Sequence, residues 1–398
     1  MPIQVFPTPS AGASYSSQPP ASASSVLLDG QLVTASSIST TVTGTGAPWL
    51  LYANGAGTTT ITISGTAYTV TAGSTVGTSA YTGSQSVTVA ANFASTAPAT
   101  FTASTMPSSS TWYGVTYGNG KFVAVQGDGT TAGAYSTNGT SWTASTMPSS
   151  STWTNVTYGN GYFVAIAQGP TTAGAYSTNG TSWTASTMPS SSSWHGVAYG
   201  NGYFVAVAYN TTAGAYSTDG ISWTASTMPS SVGWWSVTYG NGYYVAIAAG
   251  TTAGAYSTNG TTWTASTMPS NQTWYCVTYG NGYYVAIVNG PTTSGAYSTN
   301  GTTWASFSMP SSSNWYSVTY GNGYYVAIAY GAAGAYSTNG TTWTASTMPS
   351  SSTWESVTYG NGKFVAVQGD GTTAGAYFAQ SALLPVAYGI YNGATVRA

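Results

Sequence analysis

Along most of this chain apolar and polar positions alternate in short runs. Trp112-Tyr-Gly-Val-Thr-Tyr117, Lys121-Phe-Val-Ala-Val-Gln126, Gly133-Ala-Tyr-Ser136 and Thr143-Ala-Ser-Thr-Met147 follow one another, separated by turns rich in Gly, Asn and Ser. No stretch places apolar residues at helical spacing, and β-branched and aromatic residues fill the runs. The pattern predicts an all-β chain.

The pattern then recurs. Trp112, Trp153, Trp194, Trp234, Trp274, Trp315 and Trp354 each open a Trp-x-x-Val-x-Tyr-Gly-Asn-Gly segment, and they stand 39 to 41 residues apart. A fixed period near 40 residues with four short strands per copy marks a β-propeller, one blade per copy. Seven copies predict a seven-bladed β-propeller over residues 99–379. The strands of each blade are named a to d in chain order. The last copy stops after Gly375-Ala-Tyr377 and lacks its final turn and d strand, whereas Phe101-Thr-Ala-Ser-Thr-Met-Pro107 matches Trp142-Thr-Ala-Ser-Thr-Met-Pro148. The segment at Phe101 is therefore expected to complete the last blade beside Tyr377, closing the ring with an N-terminal strand. Closure removes sheet edges that would otherwise pair with other chains. In five of the six copies that keep the turn an Asn-Gly stands between c and d, as at Asn138-Gly139, and reads as a type I′ hairpin turn.

Outside the repeats the pattern changes. Residues 1–25 are rich in Ser, Ala and Pro without alternation and read as an extended attachment arm. Residues 26–98 hold β-branched runs such as Thr58-Thr-Thr-Ile-Thr-Ile63 between Gly-containing turns, which predicts a small antiparallel, β-sandwich-like domain. Residues 380–398 form a C-terminal extension.

Charge narrows the functional classes. Only 2% of residues are charged: Lys121, Lys363 and Arg397 against Asp29, Asp128, Asp219, Asp370 and Glu355. Nucleic acid needs clustered Lys and Arg and is excluded as a partner, as is a polybasic membrane anchor. An aromatic content of 14% argues against disorder. The first residues, Met-Pro-Ile-Gln-Val-Phe-Pro, hold no basic and apolar leader, so no signal peptide is expected, and no apolar run is long enough for membrane insertion. Cys276 has no second cysteine to pair with and reads as a small strand residue.

The c–d turn, Ser136-Thr-Asn-Gly-Thr-Ser-Trp142, resembles the Asp-box of sialidase-like, BNR-type propellers. It recurs at Ser177–Trp183, Ser217–Trp223, Ser257–Trp263, Ser298–Trp304 and Ser337–Trp343, and Asp219 alone keeps the acid. Near-identical Thr-, Gly- and Tyr-rich repeats of this kind also look like those of bacteriophage virion proteins, as in fibres and decorations. The sialidase resemblance would imply three arginines around a substrate carboxylate, and this chain has one, Arg397, near its end. That activity is excluded. Asp128 and Asp370 lie in one duplicated stretch, 121–135 and 363–377, so duplication accounts for them more simply than a catalytic carboxylate pair. His195 stands alone, and no metal cluster or nucleophile elbow is visible. The sequence thus predicts no enzyme, no catalytic residues, no metal and no cofactor.

Differences between copies concentrate at one end of the blades. The a–b turn is always Gly-Asn-Gly, and the c–d turn is nearly constant. The b–c loops vary, from Gln126-Gly-Asp-Gly129 to Ala208-Tyr-Asn210 and Val288-Asn-Gly-Pro291. So does the residue directly after each repeat tryptophan: Tyr113, Thr154, His195, Trp235, Tyr275, Tyr316 and Glu355. Variable loops on a constant scaffold are where binding residues are found. These residues, with Asn210 and Asn289, form the candidate binding face, a nearly uncharged aromatic surface suited to stacking and hydrogen bonding of neutral sugars. The expected protein is a non-enzymatic structural component of a bacteriophage particle. It would join other virion proteins through its arm, alone or as a homo-oligomer, and meet host-surface polysaccharide through the propeller. The alternative is a bacterial carbohydrate-binding lectin.

Overall fold

The computed structural model describes residues 25–28, 31–34, 38–53, 58–71, 75–90, 97–380 and 388–392. Residues 1–24, on which the expected arm falls, lie outside them. The chain divides into two compact units, Met1–Thr96 with Ser381–Ala398, and Ala97–Gln380. Among the described residues every regular element is a strand.

In the first unit the strands form one sheet. Its order is Gln31–Thr34, Ser25–Leu28, Tyr388–Asn392, Ile38–Ala53, Thr75–Ala90, Thr58–Ile63 and Thr66–Thr71. The C-terminal strand Tyr388–Asn392 runs antiparallel to Ile38–Ala53 and parallel to Ser25–Leu28.

The second unit is a β-propeller of several blades. In one blade, Thr152–Gly159, Tyr162–Gln168, Thr171–Ser177 and Thr184–Ser192 are strands a to d, each antiparallel to the next. The other repeats follow the same order. Strand b is the most buried, with Phe163, Val164, Ala165, Ile166 and Ala167 all fully enclosed, because both of its faces meet protein. The repeat tryptophans are fully buried as well, and Trp153, Trp234, Trp274, Trp315 and Trp354 share a core cluster with the b-strand aromatic of their own repeat, as Trp153 does with Phe163. Burying a large apolar side chain contributes about 1.5–3 kcal/mol, which makes these positions the main source of blade stability.

Two turns separate cleanly in conformation. In the a–b turn both Asn119 (φ 44°) and Gly120 (φ 75°) lie in the left-handed region, as a type I′ turn requires. In the c–d turn only Gly139 does, at φ 73°, so the type I′ expectation at Asn138-Gly139 is corrected. Side chains hold that turn instead. Ser136 Oγ accepts the Gly139 N–H at 2.8 Å, and Asn138 Oδ1 accepts the N–H groups of Thr140 and Ser141, each at 2.9 Å. These local bonds draw Asn138 away from a two-residue hairpin. Asp219 does the same work in its repeat: burial disfavours its charge, but backbone N–H donors from Ser222 and Ile221 hold its carboxyl below the usual carboxylate range.

Between neighbouring blades the Tyr-Gly pair repeats one contact. Gly118 lies under the ring of Tyr158, Gly159 under Tyr199 and Gly200 under Tyr239; a Cβ at each glycine would overlap that ring. The series runs on through the repeats to Gly360, which lies under Tyr117. Thr102–Thr105 pairs antiparallel with Ala374–Ala379, placing Thr102 opposite Tyr377. Phe101 is buried beside Trp354 and Phe364, with its ring 6.0 Å from that of Phe378.

Candidate functional site

A β-bulge in strand a builds the site. In the first repeat Trp112 pairs with Gln126 and Gly114 with Val125, so Tyr113 is an extra residue between two adjacent partners. The bulge recurs at Thr154, His195, Trp235, Tyr275, Tyr316 and Glu355. Bulges re-aim a side chain out of the regular alternation. Each repeat thus sends its tryptophan into the blade core and the next residue into the central channel.

All of these residues line one cavity of about 470 Å³, walled further along by strand-a residues such as Val237, Thr238 and Tyr239. The aromatic members touch one another in sequence order. Ring centroids lie 4.3 Å apart for His195 and Trp235, 4.6 Å for Trp235 and Tyr275, and 5.4 Å for Tyr275 and Tyr316. The Trp235 indole N–H donates to the Tyr275 hydroxyl. Such pairs contribute about 0.5–1.5 kcal/mol each beyond burial, so the rings arrive already positioned.

The b–c loops supply the outer part of this end. Tyr209 packs against both His195 (5.4 Å) and Trp235 (5.3 Å, edge-on), and Asn289 hydrogen-bonds the Tyr316 hydroxyl. Glycines in the loops leave room for the bulged residues: a Cβ at Gly127 would enter the Tyr113 ring, and one at Gly369 would meet the Glu355 side chain. The structure therefore brings together most of the candidate residues. Thr154 stands apart from the others in chemistry, because its hydroxyl is turned to backbone, donating to Trp194 O at 2.8 Å. Asn210 is exposed at the loop tip with φ 54°.

Several ionisable groups in the cavity depart from their ordinary behaviour. Burial pushes Glu355 up to about 7 and His195 down to about 4. Both shifts favour the neutral form, as expected where water is scarce. Burial first, and then the charge of Glu355, raises Tyr113, Tyr275 and Tyr316. A carboxyl that titrates near neutrality can give or take a proton at physiological pH. Among the described residues no group of three His, Cys, Asp or Glu side chains could hold a metal ion.

The remaining charges lie elsewhere. Asp128 accepts from Thr130 Oγ1 and the Thr111 N–H, and Asp370 from Thr372 Oγ1, each within or beside its own b–c loop. Buried Gln126 and Gln368 brace those loops through the Asp128 and Asp370 N–H groups, both at 2.6 Å. Cys276 lies two positions beyond its repeat tryptophan, where its sulfur accepts the Val318 N–H of the next repeat at 3.4 Å. Ser236 and Ser317 play that part for Val277 and Val357.

No family model and no curated protein matches the chain. Solved structures do. A streptogramin B lyase superposes with a TM-score of 0.62 at 14% identity, covering 70% of this chain and 97% of its own. Virginiamycin B lyase from Staphylococcus aureus gives 0.62 at 13% identity, covering 70% and 98%. YCF48 bound to D1 peptide gives 0.57 at 16% identity, covering 71% and 95%. At such identities the likeness establishes the β-propeller fold and carries no activity across. It does overturn the expectation that this chain is not an enzyme. A lyase is built on the same fold, so repeats without a familiar catalytic motif give no ground for excluding catalysis. The physical reason is that a fold does not fix a function: chemistry sits on side chains that folding gathers in space, where linear motifs do not reveal it.

Proposed function

We propose that this chain is a bacteriophage virion protein that displays a seven-bladed propeller, and that the varied end of the channel takes host-surface polysaccharide. The observation that carries the binding part is the bulge in every repeat, which turns the most variable position of strand a into one shared cavity. A merely structural bulge would have no reason to present Tyr, His, Trp and Glu at equivalent positions of otherwise near-identical copies. Aromatic faces and phenol hydroxyls in a cavity holding a single carboxylate suit a sugar, whose C–H faces stack and whose hydroxyls need donors and acceptors.

The blade count rests on the repeats and on contacts that return to their start. The Tyr-Gly series ends with Gly360 under Tyr117, the turn glycine Gly139 faces Val365, and the Val115 N–H donates to Ser356 Oγ at 3.2 Å. The strand after Phe101 is the missing d strand of the last blade. The Ser/Asn-held c–d turns support the Asp-box kinship, with Asn in place of Asp in most copies. The virion assignment rests on the resemblance of the repeats to those of phage particles. In it residues 1–25 attach the protein to other virion proteins, and residues 26–98 form a small β-domain.

The test uses particles. Antibody raised against residues 99–379 should decorate virions in electron micrographs, and particles carrying Trp235→Ala should adsorb to host cells more slowly. Unlabelled virions, with the protein recovered from the bacterial envelope, would replace the phage reading by a bacterial lectin. Unchanged adsorption of particles lacking residues 99–379 would leave the propeller without a role in attachment.

A further inference from the structure

The channel cavity has a chemistry more particular than that of a neutral sugar site. Its aromatic wall is continuous: His195, Trp235, Tyr275 and Tyr316 stand in ring-to-ring contact from blade to blade. Next in repeat order after Tyr316, and before Tyr113, Glu355 lines the same cavity. Among the described residues it is the only carboxylate lining the cavity, and no Lys or Arg lines the cavity with it. Aromatic faces carry negative charge density, and a carboxylate among them adds to it. Nothing on the wall supplies a positive charge.

We propose that the cavity binds an organic ammonium group, seated against the rings of Trp235, Tyr275 and Tyr316 and paired with the Glu355 carboxylate. The inference rests on the reading of this cavity as a ligand site and narrows the ligand to one bearing a cationic nitrogen. That nitrogen belongs to an amino sugar or to a quaternary ammonium substituent on a polymer; both offer the same charge to the same surface. Three observations support it. With a neutral ligand Glu355 stays held toward its neutral form, whereas an ammonium ion supplies the counter-charge that its ionised form lacks. The Trp235 indole N–H donates to Tyr275, and Asn289 hydrogen-bonds the Tyr316 hydroxyl, which holds in place the rings that the cation would meet. Cation–π contact is strongest with indole and is favoured where water is excluded.

The linkage is definite in direction. Burial holds Glu355 near 7 in the free protein, so a bound cation draws it back toward the ionised form and a proton leaves to solvent.

Calorimetric titration of the full chain at pH 7 with choline, D-glucosamine, 3,3-dimethylbutanol, D-glucose and N-acetyl-D-glucosamine tests the proposal. The fourth and fifth are neutral counterparts of glucosamine, and dimethylbutanol is the neutral isostere of choline. The expected result is that a cationic probe binds at least about tenfold more tightly than its neutral counterpart, with proton release seen on changing the buffer. Glu355→Gln should abolish that preference while its melting profile stays cooperative, and Trp235→Leu should weaken the cationic probes. Equal binding of cationic and neutral members of each pair, absence of binding by both cations, or a Glu355→Gln protein that keeps the preference would overturn it. The two readings separate by probe. Choline binding with no sugar binding upholds the ammonium site and removes the polysaccharide reading, whereas sugars that bind regardless of charge do the reverse.

Discussion

Gly360 lies directly beneath the ring of Tyr117, although 243 residues separate them in the chain. The same overlap joins Gly200 to Tyr239 between consecutive repeats, so the contact across the seam equals the contact inside the array. A methyl group at either glycine must displace a packed aromatic ring, which costs about 1–3 kcal/mol. Gly200→Ala and Gly360→Ala should therefore lower the melting temperature by similar amounts, roughly 2–4 °C per kcal/mol for a domain of this size. A Gly360→Ala protein that melts like the wild type, beside a destabilised Gly200→Ala, would mean that the ring is open at the seam.

Glu355 and His195 should give stability opposite dependences on pH. Glu355 titrates near 7 in the folded chain against 4.5 ordinarily, so the folded state holds the extra proton between those values. Its contribution therefore falls as pH rises from about 4.5 to 7. His195 titrates near 4 against 6.5, so the unfolded state holds the extra proton and stability rises from about pH 4 to 6.5. Each shift corresponds to about 3 kcal/mol at 1.36 kcal/mol per unit. Tyr113, Tyr275 and Tyr316 also face the cavity, but they are raised from 10 and stay neutral throughout this window. The wild type should then show a shallow profile from pH 4.5 to 6.5. Glu355→Gln should gain stability with rising pH, and His195→Gln should lose it. Denaturant melts at half-unit steps of pH decide this, and parallel profiles for the two variants would contradict the assignment.

Much of this molecule could be read from its residues, and what escaped has a physical cause. The 40-residue period and the alternation within each run identify strands and a propeller because blades repeat the same burial pattern, seen in the enclosed Phe163–Ala167 strand. The missing d strand after Tyr377 and its match at Phe101 pointed to the pairing of Thr102 with Tyr377. The c–d turn departs from the expected type because Asn-Gly usually acts through backbone conformation, and here Ser136 and Asn138 hold the turn with side chains. Variation among the residues after each tryptophan marked the site, but not its form. The bulge that turns Tyr113 and its counterparts into the channel leaves no mark in composition, since one extra residue in a strand changes no residue type. Its trace is one of parity: Trp112 and Val115 are both buried although an odd number of steps separates them.

Thr154 and Trp235 occupy equivalent bulges but should fail differently. The Thr154 hydroxyl donates to the Trp194 carbonyl at 2.8 Å and also approaches Ile166 O at 3.3 Å. Thr154→Val removes that link between blades and should cost about 1 kcal/mol of stability while leaving ligand affinity within twofold. Trp235→Ala instead removes the ring that joins His195, Tyr209 and Tyr275, and binding of the cationic probes should fall by at least about tenfold. Paired melting curves and titrations distinguish the two. Equal loss of affinity in both variants would show that the bulges act as one structural ring.

Cys276 offers a direct test of how the blades are joined around the channel. Its sulfur accepts the Val318 N–H at 3.4 Å, at the position where Ser236, Ser317 and Ser356 accept the N–H groups of Val277, Val357 and Val115 at 3.1–3.2 Å. Sulfur is a weaker acceptor than a hydroxyl oxygen, so Cys276→Ser should keep the link and leave stability unchanged or slightly raised. Cys276→Ala leaves the Val318 N–H without its partner inside the wall of the channel, which should cost about 1–3 kcal/mol. Ser317→Ala should cost a similar amount, because it breaks the same bond one blade further on. The measurement is the denaturant midpoint of the three variants, with hydrogen exchange at the Val318 amide as a local readout. If Cys276→Ala and Cys276→Ser unfold at the same midpoint and protect that amide equally, the inter-blade bond contributes nothing and packing alone holds the inner strands together.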